Sequence, residues 1–181
     1  MNVYIKNIVR FLTIILLQVL ILNRINLKWW SEPANFPDFI PYVYPLFLLL
    51  LPFETPVWAL LIMGFALGIT VDIFMNTAGM HAAAAVLIAY LRTNVLVALL
   101  PRNLSDYDNQ HPSIKTMGWM PFLVYSLFLF IIHDFVYFTI ELWNISNIGF
   151  LLLKVTASTI TSMLFIIVYL LLFTRQNASR T

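Results

Sequence analysis

The stretch Gly64 to Arg92, GFALGITVDIFMNTAGMHAAAAVLIAYLR, decides the fold. Gly64, Gly68, Asp72 and Asn76 lie four apart, and a period of about 3.6 residues puts all of them on one helix face. That face is small and polar. A short turn through Asn76 and Gly79 leads to His81 and an alanine-rich helix on which Ala82, Ala85, Ala89 and Arg92 share one stripe. Two small-residue stripes joined by a tight turn predict a close-packed helical hairpin in a membrane, where glycine and alanine let backbones approach.

Composition sets the solvent. The chain is 61% hydrophobic and 10% charged, with a mean hydropathy of +0.89, which predicts an all-α integral membrane protein. A span needs roughly 20 residues, so about six would use most of the 181 residues and make 1–181 a single polytopic transmembrane bundle. The predicted spans are about 5–22, 40–51, 57–75, 81–100, 120–142 and 148–173. The second is bracketed by Pro41, Pro45 and Pro52 and is short for a crossing, so it is read as tilted, kinked or extended by the aromatics before it. Thr55-Pro56 is a helix-start signal for the third. Lys6, Arg10, Arg102, Lys115, Arg175 and Arg180 fall on one side against Arg24 and Lys28 on the other, which predicts both termini in the cytoplasm.

Four ionisable residues fall inside the predicted spans, and each needs a partner or a wet cavity. At ~1.5 Å per residue, Asp72, Asp134 and Lys154 come out roughly 5 to 10 Å outward of the midplane and Arg92 near the middle. Two acids and two bases suggest a neutral structural network across the third to sixth spans, with His133 and Glu141 at its outer edge. Arg92 lies about 12 Å deeper than Asp72 in the hairpin, so Lys154 for Asp72, and Asp134 for Arg92, are at least as good pairings as Asp72 with Arg92. Asp72 is read as a structural lock or a cap for the helix opening at His81, with a proton or ion site as the competing assignment. His133 and Asp134 point about 100° apart around a helix, which argues against a side-by-side dyad.

No metal or cofactor is expected. The chain has no cysteine, no HExxH, no GxSxG and no phosphate loop, and Ser158 and Ser162 lack a nearby base in the sequence. An enzyme is therefore not expected. Basic residues are spread along membrane boundaries with no clustered patch, which speaks against nucleic acid as a partner. The aromatic loop carrying Trp29, Trp30, Phe36 and Phe39 is the expected contact for a partner outside the bilayer.

PYVYPLFLLLL, then GFALGITVDIF, a short turn with Gly79, and His81-Ala82 opening an apolar helix with Tyr90-Leu91 together resemble the rod shape-determining membrane protein MreD family of bacteria. That resemblance implies a non-enzymatic component of the cell-elongation machinery in the cytoplasmic (inner) membrane. It also implies an MreC-like periplasmic partner, with MreB, RodA and a class B penicillin-binding protein as further members of the assembly. The family in turn looks like the S components of energy-coupling-factor vitamin transporters, which share a six-helix bundle, and this supplies the alternative function. Those proteins typically carry an alanine-x-x-x-alanine contact in the first helix, whereas the first apolar segment here has no alanine.

Overall fold

The computed structural model describes residues 3–24, 40–100, 104–107, 110–143 and 148–175. Every regular element among them is helical. Helix α1 spans Val3–Leu16 and continues through a π turn at Leu17–Ile21 and a 3-10 turn at Leu22–Arg24. A four-residue helix, α2 (Leu46–Leu49), precedes α3 (Val57–Met75) and α4 (Met80–Leu99). A 3-10 turn at Leu104–Tyr107 and the short α5 (Ile114–Met117) lead to α6 (Trp119–Leu142) and α7 (Ile148–Arg175).

Helices α3, α4, α6 and α7 are long and apolar enough to cross a membrane. Their polarity is inverted relative to a water-soluble bundle. Trp58, Ile62, Phe65, Ile131, Phe135 and Ile160 face outward, while Gln18, Asp72, His81, Arg92, His133 and Asp134 are buried. An outer surface of that kind suits lipid, and the protein is an all-α membrane protein.

The hairpin is the tightest part. A Cβ built on Gly68 would lie 2.4 Å from Ala82 Cα and 2.6 Å from the backbone nitrogen of Ala82, so only glycine fits there. One turn away, a Cβ on Gly64 would meet the Ala85 carbonyl oxygen and the Ala89 Cβ, each at 3.1 Å. The turn itself uses two left-handed residues. Asn76 closes α3 at φ 54° and Gly79 opens α4 at φ 80°, conformations that asparagine and glycine adopt most readily. Helix α4 then packs on α6, and α6 on α7.

The second expected span, 40–51, requires correction. Only Leu46–Leu49 of it is α-helical, yet Pro41 to Leu51 is buried without a break. A 40–51 helix would cover only ~18 Å, well short of a bilayer; partly extended chain reaches further per residue. Pro41 and Pro45 also withhold the N–H groups that a regular helix would use. The segment runs antiparallel to α1, because Arg10 Nη1 donates to the Leu50 carbonyl at 2.9 Å while Gln18 Nε2 donates to the Pro41 carbonyl at 3.1 Å. It passes from beside His81, at the turn end of the hairpin, to Arg92, ~16 Å further along α4.

Candidate functional site

A non-helical backbone in a membrane protein leaves polar groups that lipid cannot satisfy, so side chains must do so. Here they come from four helices, α1 with its π turn, α4, α6 and α7. Ser158 Oγ donates to the Ile40 carbonyl at 3.1 Å, and Ser162 Oγ accepts from the Tyr42 N–H at 2.9 Å. Gln18 Oε1 accepts from the N–H groups of Val43 (2.8 Å) and Tyr44 (3.3 Å). At the other end, the Tyr125 hydroxyl donates to the Leu49 carbonyl at 3.2 Å, next to the Arg10 bond. Arg92 Nη2 donates to the Leu51 carbonyl at 2.5 Å and the Pro52 carbonyl at 3.2 Å. Arg92 is thus a clamp on this broken segment.

Asp72 has a different task. Its carboxylate accepts from the backbone N–H of His81 (3.1 Å) and of Ala82 (2.9 Å), and from the Thr77 hydroxyl. These are orphan donors of the first turn of α4, where the helix dipole also favours a negative charge. The acid reaches them from α3 across the turn, so it joins the two helices. Asp72→Asn keeps one acceptor but sets an amide N–H against the second donor, and Asp72→Ala removes both acceptors. Denaturation of the detergent-solubilised protein should rank wild type above Asn above Ala, with Asn costing about 1 kcal/mol and Ala about 2 kcal/mol. Equal stability of all three would show that the cap is dispensable.

The most enclosed polar cluster is built around Tyr44. Its hydroxyl lies 3.0 Å from His81 Nδ1 and is also hydrogen-bonded to His133 Nε2. His133 Nδ1 is 2.9 Å from Asp134 Oδ1, and the Thr159 hydroxyl donates to Asp134 Oδ2 at 2.8 Å. Tyr44, His81, His133, Asp134 and Thr159 are all buried. Aromatic rings complete the walls: Tyr137 stacks on His81 with centroids 4.4 Å apart, and Tyr42 meets His81, His133 and Tyr137 edge-on. The result is a continuous chain of groups, several of which can both give and accept a proton.

Two expectations change here. His133 and Asp134 do form a pair. The angle of about 100° describes where their Cβ atoms leave the helix, and both side chains are long enough to converge on a buried point. The single network of Asp72, Arg92, Asp134, Lys154 and His133 is also replaced by separate clusters. Among the described residues, Asp72 and Asp134 are joined only through His81, Tyr44 and His133, and neither base takes part. Lys154 bonds instead to Glu141 Oε2 at 2.6 Å, with its ammonium 5.0 Å from the centre of the Phe138 ring. The antiparallel α6 and α7 bring that acid closer than either aspartate, and Arg92 is drawn off by the Leu51 carbonyl and by the Pro52 carbonyl, which it shares with Thr55.

Trp29, Trp30, Phe36 and Phe39 lie outside the described residues. Gly64, Gly68, Ala82, Ala85 and Ala89 line the α3–α4 contact. Tyr44, Thr159 and Gln18 are the site residues that the sequence reading missed. Gln18 is the one polar residue in the apolar run Thr13 to Leu22 after its opening threonine, and Tyr42 and Tyr44 sit inside the proline-bracketed PYVYP; those were the available signals. Among the described residues no group of three His, Cys, Asp or Glu is arranged to hold a metal ion. No protein-family model matches the chain, and no curated protein or solved structure shows significant similarity to it.

Proposed function

We propose that the protein is a non-enzymatic scaffold of the bacterial cell-elongation (rod) complex, held in the cytoplasmic membrane and binding an MreC-like partner. In this reading the chain crosses the bilayer six times, with α1 and the segment 40–56 adding to the four long helices, and both termini are cytoplasmic. What supports the six crossings is the antiparallel pairing of 40–52 with α1.

The observation that carries the functional reading is where the family-like letters fall. PYVYPLFLLLL is the buried, broken segment, and GFALGITVDIF is the helix whose glycines meet α4. The resemblance thus coincides with the residues that build the interior of the bundle, beyond a mere run of apolar letters. A single-span partner could use a groove of about 1070 Å³ between α1 and the start of α3, lined by Phe11, Leu12, Trp58, Ala59 and Met63. MreB, RodA and a class B penicillin-binding protein are then further members of the assembly.

Depletion in the native host is the test. Rod-shaped cells are expected to become round, and the tagged protein is expected to co-purify with a single-span periplasmic protein. Cells that keep their shape but acquire a vitamin requirement would overturn the scaffold in favour of a small-molecule-binding S component.

A further inference from the structure

Among the described residues the ions of the interior are held in different ways. Asp72 is held by the α4 N-terminus and three donors, Arg92 by carbonyls, and Lys154 and Glu141 by each other. Asp134 has for company only a histidine and a hydroxyl. A carboxylate buried in a membrane span without a cation is costly, by at least ~2.5 kcal/mol on insertion scales. One added proton removes that cost.

The hydrogen bonds also fix a direction. An ionised Asp134 can only accept, so His133 carries its proton on Nδ1 and offers Nε2 as an acceptor. Tyr44 gives its single proton to that nitrogen and must therefore accept from His81 Nδ1–H. His81 Nε2 is left as a bare acceptor. It is buried, and it has no hydrogen-bond partner among the described residues. It is the unsatisfied end of the chain. His81 is the second residue of α4, so that end lies at the turn end of the hairpin.

We propose that this chain is a proton-binding relay: a proton from water, taken up at His81 Nε2, is passed through Tyr44 and held at the His133–Asp134 pair. An N–H bond forms at His81 Nε2 while the Nδ1–H bond breaks and its proton moves to the Tyr44 oxygen. Tyr44 releases its original proton to His133 Nε2. Nothing is oxidised or reduced, one proton is gained, and the charge of the cluster goes from −1 to 0. Both Tyr44 hydrogen bonds survive with their polarity reversed, since His133 now donates to Tyr44 and Tyr44 to His81, while His133 Nδ1–H and Thr159 still donate to Asp134. The other titratable groups around the cluster are Asp72 from α3, bonded to the His81 backbone; Tyr42 from the broken segment; Tyr137 and Glu141 from α6; and Lys154 from α7, which is engaged with Glu141.

The relay is independent of the scaffold reading and is tested without any measure of cell shape. The full chain, with ¹⁵N-labelled histidine, is placed in lipid nanodiscs and titrated by NMR; His111→Gln and His133→Gln spectra assign its three histidines. His81 is expected to change from the Nδ1–H to the Nε2–H tautomer with the same midpoint at which His133 gains its Nε2 proton. Tyr44→Phe, which deletes only the bridging oxygen, is expected to abolish the shared midpoint. A His81 ring that keeps one tautomer while His133 titrates would overturn the relay, as would a shared midpoint that survives Tyr44→Phe. Should that variant not fold, Asp134→Asn replaces it: loss of the His133 protonation step supports the relay, and an unchanged step overturns it.

Discussion

Gly68→Ala is expected to be among the most damaging single-methyl substitutions in this chain. The added carbon would lie 2.4 Å from Ala82 Cα, and its other near neighbours are the Ala82 nitrogen and the His81 carbonyl oxygen, both 2.6 Å away. All are backbone, so no rotamer change relieves the clash. Helices α3 and α4 would have to separate, and the Asp72 carboxylate would be drawn away from the first turn of α4 that it caps. Overpacking of this kind costs roughly 1–3 kcal/mol, and weakening of the cap adds about 1 kcal/mol. Gly64→Ala is the matched control, since its nearest contacts are 3.1 Å. Detergent unfolding curves should show the Gly68 variant weakened several times more than the Gly64 variant. Equal effects would mean that the hairpin is looser than its geometry.

The second large effect is expected at Arg92→Met, which keeps an unbranched side chain and removes the guanidinium. The Leu51 carbonyl would then face the interior without its donor, while the Pro52 carbonyl keeps Thr55. A buried, unsatisfied carbonyl costs about 1–3 kcal/mol, and lipid offers no water in exchange. Replacement by lysine should recover part of the loss, because an ammonium can still donate to the Leu51 carbonyl but is more strongly hydrated and costlier to bury than a guanidinium. The measurement is protein yield after detergent extraction together with the unfolding midpoint. A methionine variant as stable as wild type would show that the segment finds its donors elsewhere.

The hairpin was legible because it is local. Glycines four apart, an asparagine and a glycine at the turn, and an acid one turn before it each carry their meaning within a few residues of sequence. The broken segment was not legible in the same way. Its letters, LFLLLL, satisfy any test for an apolar span, and only the three prolines and the shortage of length pointed elsewhere. Its partners are distant: Gln18, Arg92, Tyr125, Ser158 and Ser162 all act on it from other helices. The polar pairings failed for a related reason. Charge counting treated the four ions as each other's natural partners, whereas backbone carbonyls, orphan helix donors and Glu141 were nearer. The rejected His133–Asp134 pair shows the limit of helical-wheel angles, which describe where a side chain starts and say little about where a long one ends.

The dependence of the broken segment on its surroundings has a consequence for how the chain is made. Ile40 and Tyr42 are bonded by Ser158 and Ser162, residues that leave the ribosome more than a hundred positions later. Until α7 has been synthesised and inserted, those backbone groups have no partner, and the segment has no stable home in the bilayer. The α3–α4 hairpin, self-contained and low in contact order, can form early, while the interior must wait for the last helix to close around it. A nascent chain released before α7 would therefore leave the Ile40 carbonyl and the Tyr42 N–H without the partners that the finished core gives them.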